Sequence, residues 1–234
     1  MRNSRQPFYI GLIALFSLAP SLFSQASMDL TSAGNNILAG VYVGPYYATI
    51  NGQANVPIIC DDFTDESFVG ETWKATTTTV SSNAATMMSQ RLGLSASTQS
   101  KDYGEAAYLA QQLMSGATCP PGTTSCASSD YAGDIQFAIW QIFDPSGAGN
   151  PFSYLSGNDY KNASAWLTYA SANAPSSSSD AGVIVYSPVG GGPPQEFLGM
   201  PEADAPFIWA MDLAGLCGLV FFVRRRTQAV SAKA

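Results

Sequence analysis

Val41-Tyr-Val-Gly-Pro-Tyr-Tyr-Ala-Thr-Ile50-Asn-Gly-Gln-Ala-Asn-Val56-Pro-Ile-Ile-Cys60 is the stretch that decides the fold class. β-Branched and aromatic residues fill Val41 to Ile50 and return at Val56, and Asn51-Gly52 between them is a turn signal, so the segment reads as antiparallel strands. A third strand follows over Ser67 to Val80. The pattern then changes period. Ser82 to Leu92 and Gly104 to Met114 read as helices, the second with Ala106, Leu109 and Leu113 on one buried face. Asp134 to Phe143 spaces Ile135, Ile139 and Ile142 at helical intervals, with Asp130 or Asp134 suited to its N-terminal end, and Tyr160 to Ala172 is a fourth helix. Val183 to Ser187 and Gln195 to Leu198 return to strand, paired as a hairpin around Pro188-Val-Gly-Gly-Gly-Pro-Pro194. The expected class is α+β: an antiparallel β-sandwich or barrel carrying a helical insertion between its early and late strands.

The ends of the chain carry a different kind of signal. Arg2 and Arg5 precede the apolar run Phe8 to Leu18, and Ser24-Gln25-Ala26 offers small residues for cleavage, so residues 1–26 read as a signal peptide. Pro206 to Val223 is long and apolar enough for a transmembrane helix, and Arg224, Arg225 and Arg226 after it would stay on the cytoplasmic side. Between these lie residues 27–200, enough for one domain with a core of its own. That segment has only Lys74, Arg91, Lys101 and Lys161 against fourteen acidic residues, a formal charge of −10, which argues against nucleic-acid binding. The chain has no histidine. This removes Ser-His and Cys-His nucleophile pairs and most catalytic zinc sites, and no metal or cofactor is expected.

Asp61, Asp62, Asp65 and Glu66 form an acidic cluster that matches no calcium-loop spacing and reads as a solvated turn. Of the four cysteines, Cys217 lies in the C-terminal apolar run. Cys119 and Cys126 flank a turn-rich loop and are expected to form a disulfide in an oxidising compartment. Cys60 is left without a cysteine partner: a buried inert thiol, a free thiol, or a sulfur bonded to something else.

Ile58-Ile-Cys60-Asp-Asp-Phe63, followed later by Asp134-Ile-Gln136-Phe-Ala-Ile-Trp140, resembles the paired signatures of bacterial surface thioester domains. The resemblance implies an internal Cys60–Gln136 thioester and makes these two the candidate reactive residues. A thiolate attacking a carboxamide expels ammonia and leaves an acyl donor that a nucleophile on another molecule can capture. Gln136, Trp140 and Phe143 share a helix face by spacing, so two aromatic rings are expected to shield the bond, with the helix N-terminus supplying polarity to the oxyanion. At the C-terminus, Met200-Pro201-Glu202-Ala203, an apolar run and Arg224 to Arg226 together resemble the PEP-CTERM sorting signal over residues 201–234, which implies processing by an exosortase. The sum is an exported surface or matrix protein, not an enzyme, that joins a protein amine or a polysaccharide hydroxyl. Two alternatives remain: a structural matrix protein with a silent motif, and a carboxylate-dependent enzyme acting on matrix sugars, which would need an acid pair facing a sugar-sized cleft.

Overall fold

The computed structural model describes residues 25–80, 84–123, 126, 130–146, 149–174 and 182–200. Its strands are β1 (Gln25–Ser32), β2 (Ile37–Leu38), β3 (Val41–Tyr42), β4 (Tyr46–Ile50), β5 (Gln53–Cys60), β6 (Thr72–Thr79), β7 (Ile184–Pro188) and β8 (Phe197–Gly199). Asn51 and Gly52 take φ of 52° and 87°, the backbone that a tight two-residue hairpin needs, and join β4 to β5. Six strands close into a barrel in the order β1-β4-β5-β8-β7-β6, every neighbouring pair antiparallel. Closure leaves the sheet no open edge to protect. The remaining two strands, β2 and β3, form a separate small ribbon.

The barrel explains why Ile58-Ile59-Cys60 shows no alternation. Ile58 and Cys60 join the cluster inside the barrel with Met28, Leu30, Ala48 and Phe197, whereas Ile59 joins a second cluster under the helices with Leu109, Ile139 and Leu198. A strand buried on both faces has no polar side, so its sequence reads as a continuous apolar run. Each such fully buried Ile or Phe contributes roughly 1.5–3 kcal/mol.

The helices are α1 (Met87–Arg91), α2 (Ala96–Met114), α3 (Tyr131–Phe143) and α4 (Gly157–Asn173), with a 3-10 turn at Pro151–Tyr154. All fall between β6 and β7 in the chain, as the expected insertion does. α3 belongs to both clusters: Ile135, Ala138 and Ile139 pack among the helices, while Phe137 and Trp140 join the barrel interior beside Cys60. Asn162 of α4 donates to Asp134 Oδ2 at 3.2 Å and fixes the first turns of α3.

Several boundaries differ from the sequence reading. Val41 to Ile50 is two strands, because Pro45 has no amide to give a ladder. β1 was not expected at all, although Ala26, Met28 and Leu30 alternate inward along it. Its first two residues, Gln25 and Ala26, are the last two of the segment read as signal peptide. α2 starts at Ala96 rather than Gly104, its N-terminus capped by Ser95, which accepts from Thr98 N. α1 is short, fixed by a reciprocal capping box between Thr86 and Ser89. Among the described residues no helix is long and apolar enough to cross a membrane. Most of residues 1–26, and all of 201–234 with Pro201, Glu202 and Arg224 to Arg226, lie outside the described residues.

Candidate functional site

Cys60 ends β5 and is fully buried. Its thiol donates to the Asp62 carbonyl at 3.0 Å. Gln136, also fully buried, lies in the second turn of α3, and its Nε2 donates to the backbone carbonyl of Cys60 at 2.6 Å. The other carboxamide atom, Oε1, accepts the backbone N–H of Gly44 at 3.2 Å. The fold thus brings the two motifs together across 76 residues of sequence. The contact runs through the Cys60 peptide, and the sulfur itself is turned to Asp62.

The first amides of α3 do not serve this carboxamide. Gln136 sits beyond them, and the donor on its oxygen comes from the loop between β3 and β4. A Cβ on Gly44 would lie 2.7 Å from Oε1 and 3.1 Å from Ile59 Cδ1, so only glycine lets the backbone come this close. A cavity of about 590 Å³ is lined in part by Asn36, Leu38, Val43, Pro45 and Asp130. Val43 and Pro45, on either side of Gly44 in the chain, are part of that wall.

The shielding aromatics are not quite those expected. Trp140 lines the site, but Phe143 packs against Tyr103, ring centres 4.9 Å apart, in the helical cluster. Phe63 and Phe137 take the remaining places, their rings 4.9 and 5.0 Å from Trp140. Burial pushes the Cys60 thiol well above its ordinary pKa, and the charges of Asp62 and Asp61 add to this. The Trp140 indole N–H, beside the sulfur, acts in the opposite direction, although it makes no hydrogen bond of regular geometry. The thiol is therefore held protonated, away from water, between an aromatic wall and its own backbone.

The acidic cluster is not a solvated turn. Asp61 and Asp62 are fully buried, while Asp65 is half-buried and Glu66 exposed. Asp62 Oδ1 accepts from Thr64 N, Asp65 N and Arg91 Nη2, the last at 2.7 Å. Desolvation alone would raise its pKa; the hydrogen bonds and charge of Arg91 outweigh that and hold it low. Asp61 meets another acid, Glu196, whose carboxylate receives Ser187 Oγ at 2.5 Å, Met87 N at 2.7 Å and the Tyr103 hydroxyl. Counted as a carboxylate, Asp61 has no donor on either oxygen. Two facing carboxylates cannot both be ionised in a buried site, and a proton on Asp61, shared with Glu196, resolves the contact. Burial, then Glu196, push the Asp61 pKa well up.

A larger cavity of about 720 Å³ lies away from Cys60, over Thr86, Arg91, Ser187 and the Gly190 to Gly192 loop. Asp65 is its one acidic wall residue; Asp61 and Glu196, the facing pair, do not line this cavity. Among the described residues no group of three or more His, Cys, Asp or Glu side chains is placed to hold a metal ion. Cys119 and Cys126 are disulfide-bonded, with Cα atoms 5.6 Å apart. Compared with known proteins, the chain matches no protein family, no curated protein and no solved structure. Gly44, Phe63, Phe137 and Glu196 were not singled out from the sequence. Phe63 and Phe137 stand within the two motifs and were legible there as neighbours of Cys60 and Gln136; Gly44 and Glu196 carry no local signal.

Proposed function

We propose that the chain is exported to the cell envelope or exopolysaccharide matrix and there captures an extracellular partner through a Cys60–Gln136 thioester. The observation that carries this reading is the 2.6 Å hydrogen bond from Gln136 Nε2 to the Cys60 carbonyl. It joins the only cysteine outside the disulfide among the described residues to a buried carboxamide, in a water-excluded aromatic surround. In the condensation the Cys60 sulfur bonds to Gln136 Cδ, the Cδ–Nε2 bond breaks, and the thiol proton leaves on ammonia. In the capture, an amine or hydroxyl of the partner bonds to Cδ and Cys60 departs as a thiol. Each molecule reacts once, so the protein is a single-use linker and not an enzyme.

Export rests on the leader and the PEP-CTERM-like end: signal peptidase removes the first segment, and an exosortase processes residues 201–234. Intact mass tests the chemistry. The purified exported domain should weigh one ammonia less than its disulfide-bonded sequence, and methylamine should add at Gln136 to leave it one methylene heavier than that sequence. Cys60→Ala and Gln136→Ala should each abolish the adduct. An unmodified mass with no methylamine uptake would defeat the reading. A structural matrix protein with a silent motif is the second reading, favoured by the fact that the thiol and both carboxamide atoms already have backbone partners.

A further inference from the structure

Gly44 stands where the chemistry at Gln136 would place its negative charge. When sulfur attacks Cδ, the carbonyl electron pair moves onto Oε1, and the same happens when an amine later attacks the thioester. Oε1 already accepts the Gly44 N–H at 3.2 Å, in a buried setting and from a residue 92 positions away. We propose that the Gly44 N–H is the oxyanion donor of the Cys60–Gln136 centre and that Asn36 is the residue that positions it. The inference rests on the thioester reading and deepens it.

The Gly44 peptide is held from the far side. Asn36 Nδ2 donates to the Gly44 carbonyl at 3.4 Å, and the Asn36 carbonyl accepts Val43 N at 3.1 Å. Together these clip the β2–β3 ribbon shut at its base and fix the plane of the chain that presents the amide. A preformed donor costs no reorganisation as the charge develops, which is why such groups are worth more in a dry site than in water. Any side chain at position 44 would push against Oε1, at 2.7 Å, and lift the oxygen off the amide. Both steps balance without another reagent. In the first, C–S forms, C–N breaks and ammonia carries off the thiol proton. In the second, C–N forms with the incoming amine, C–S breaks, and the amine proton passes to Cys60.

The test compares two single-turnover rates, ammonia loss after folding and methylamine capture, in wild-type protein and in Gly44→Ala and Asn36→Ala. Loss of one oxyanion donor slows such reactions by about 100-fold or more, and Gly44→Ala should fall in that range in both steps. Asn36 is exposed, so Asn36→Ala should fold and melt like wild type while slowing both steps by a common factor, since one oxyanion serves both. A purely structural role for Asn36 would lower the melting temperature and leave the rates alone. Wild-type rates in folded Asn36→Ala overturn the inference even if Gly44→Ala does not fold. A wild-type protein of unmodified mass overturns the thioester reading itself, and this assignment with it.

Discussion

Asp61→Asn should make the protein progressively more stable than wild type as pH rises. Asp61 is fully buried, its pKa raised well above the ordinary value by desolvation first and then by the charges of Glu196 and Asp62. In the unfolded chain an aspartate loses its proton near pH 4, at about 3.9. The folded state keeps that proton to a higher pH. Over this window the native protein binds more protons than the unfolded one, so stability is fully present below the unfolded pKa and is lost as pH rises toward the folded one. One retained proton gives a slope of about 1.4 kcal/mol per pH unit. Asparagine has the same shape, can donate to Glu196, and has no proton to lose. The difference in unfolding free energy, variant minus wild type, should therefore grow at up to that slope above about pH 4 and level off where Asp61 finally ionises. Asp62, held low by Arg91 against its own desolvation, acts with the opposite sign below its unfolded pKa. It is present in both proteins and cancels. Urea titrations at half-unit steps from pH 4 to 8 read the difference directly. Parallel curves, or a gap that narrows as pH rises, would refute the buried shared proton.

Gly133→Ala should destabilise by about 1–2 kcal/mol where an open helix position would gain, because the new Cβ meets Leu38 Cδ2 at 2.6 Å. Thermal melts of the double-mutant cycle with Leu38→Ala check it: in the Leu38→Ala background the same change should be neutral or favourable. Arg91→Ala leaves the buried Asp62 carboxylate without its cation and should cost on the order of 2–4 kcal/mol in a urea titration at pH 7. The loss should shrink as pH falls below the ordinary aspartate range, because without Arg91 burial favours the protonated Asp62 carboxyl, which needs no cation. Replacing both Cys119 and Cys126 with Ser opens a loop of separation 7 and should cost about 2.5 kcal/mol, measured by thermal unfolding. Methylamine uptake at Gln136 should not change in that variant.

The hairpins were legible because Asn51-Gly52 and the Pro-Gly loop before β8 state their turn chemistry locally. So was the placing of Gln136 and Trp140 one helical turn apart, and of Cys60 on a strand, although that strand stops at Cys60 where the sequence reading ran it to Phe63. Phe143 was misjudged for a reason of length rather than angle. Seven residues advance a helix by about 10 Å, enough to carry the ring past the barrel to Tyr103. The acids were misread because carboxylates in a turn are seldom buried, and what meets Asp61 is Glu196, the residue before β8, with no periodic relation to it. Nothing in a sequence marks a glycine whose missing side chain admits a carboxamide oxygen from a distant helix. β1 alternates clearly, but its first residues doubled as a cleavage signal, and one reading hid the other.

β8 is the last strand before Met200, and it lies directly against the strand that bears Cys60, with Phe197 opposite Cys60 itself. A pull applied at Met200 therefore enters the molecule at Gly199, opposite Ile58 and two residues from the rung of Phe197 and Cys60. Under the proposed attachment, the opposing pull enters at Gln136, whose carboxamide rests on the Cys60 carbonyl. The line of tension from Met200 to partner runs through β8, the end of β5 at Cys60, and Gln136. The backbone of α3, which carries Gln136, takes the covalent share of the load, and the strands of the barrel away from β5 and β8 stand beside this line.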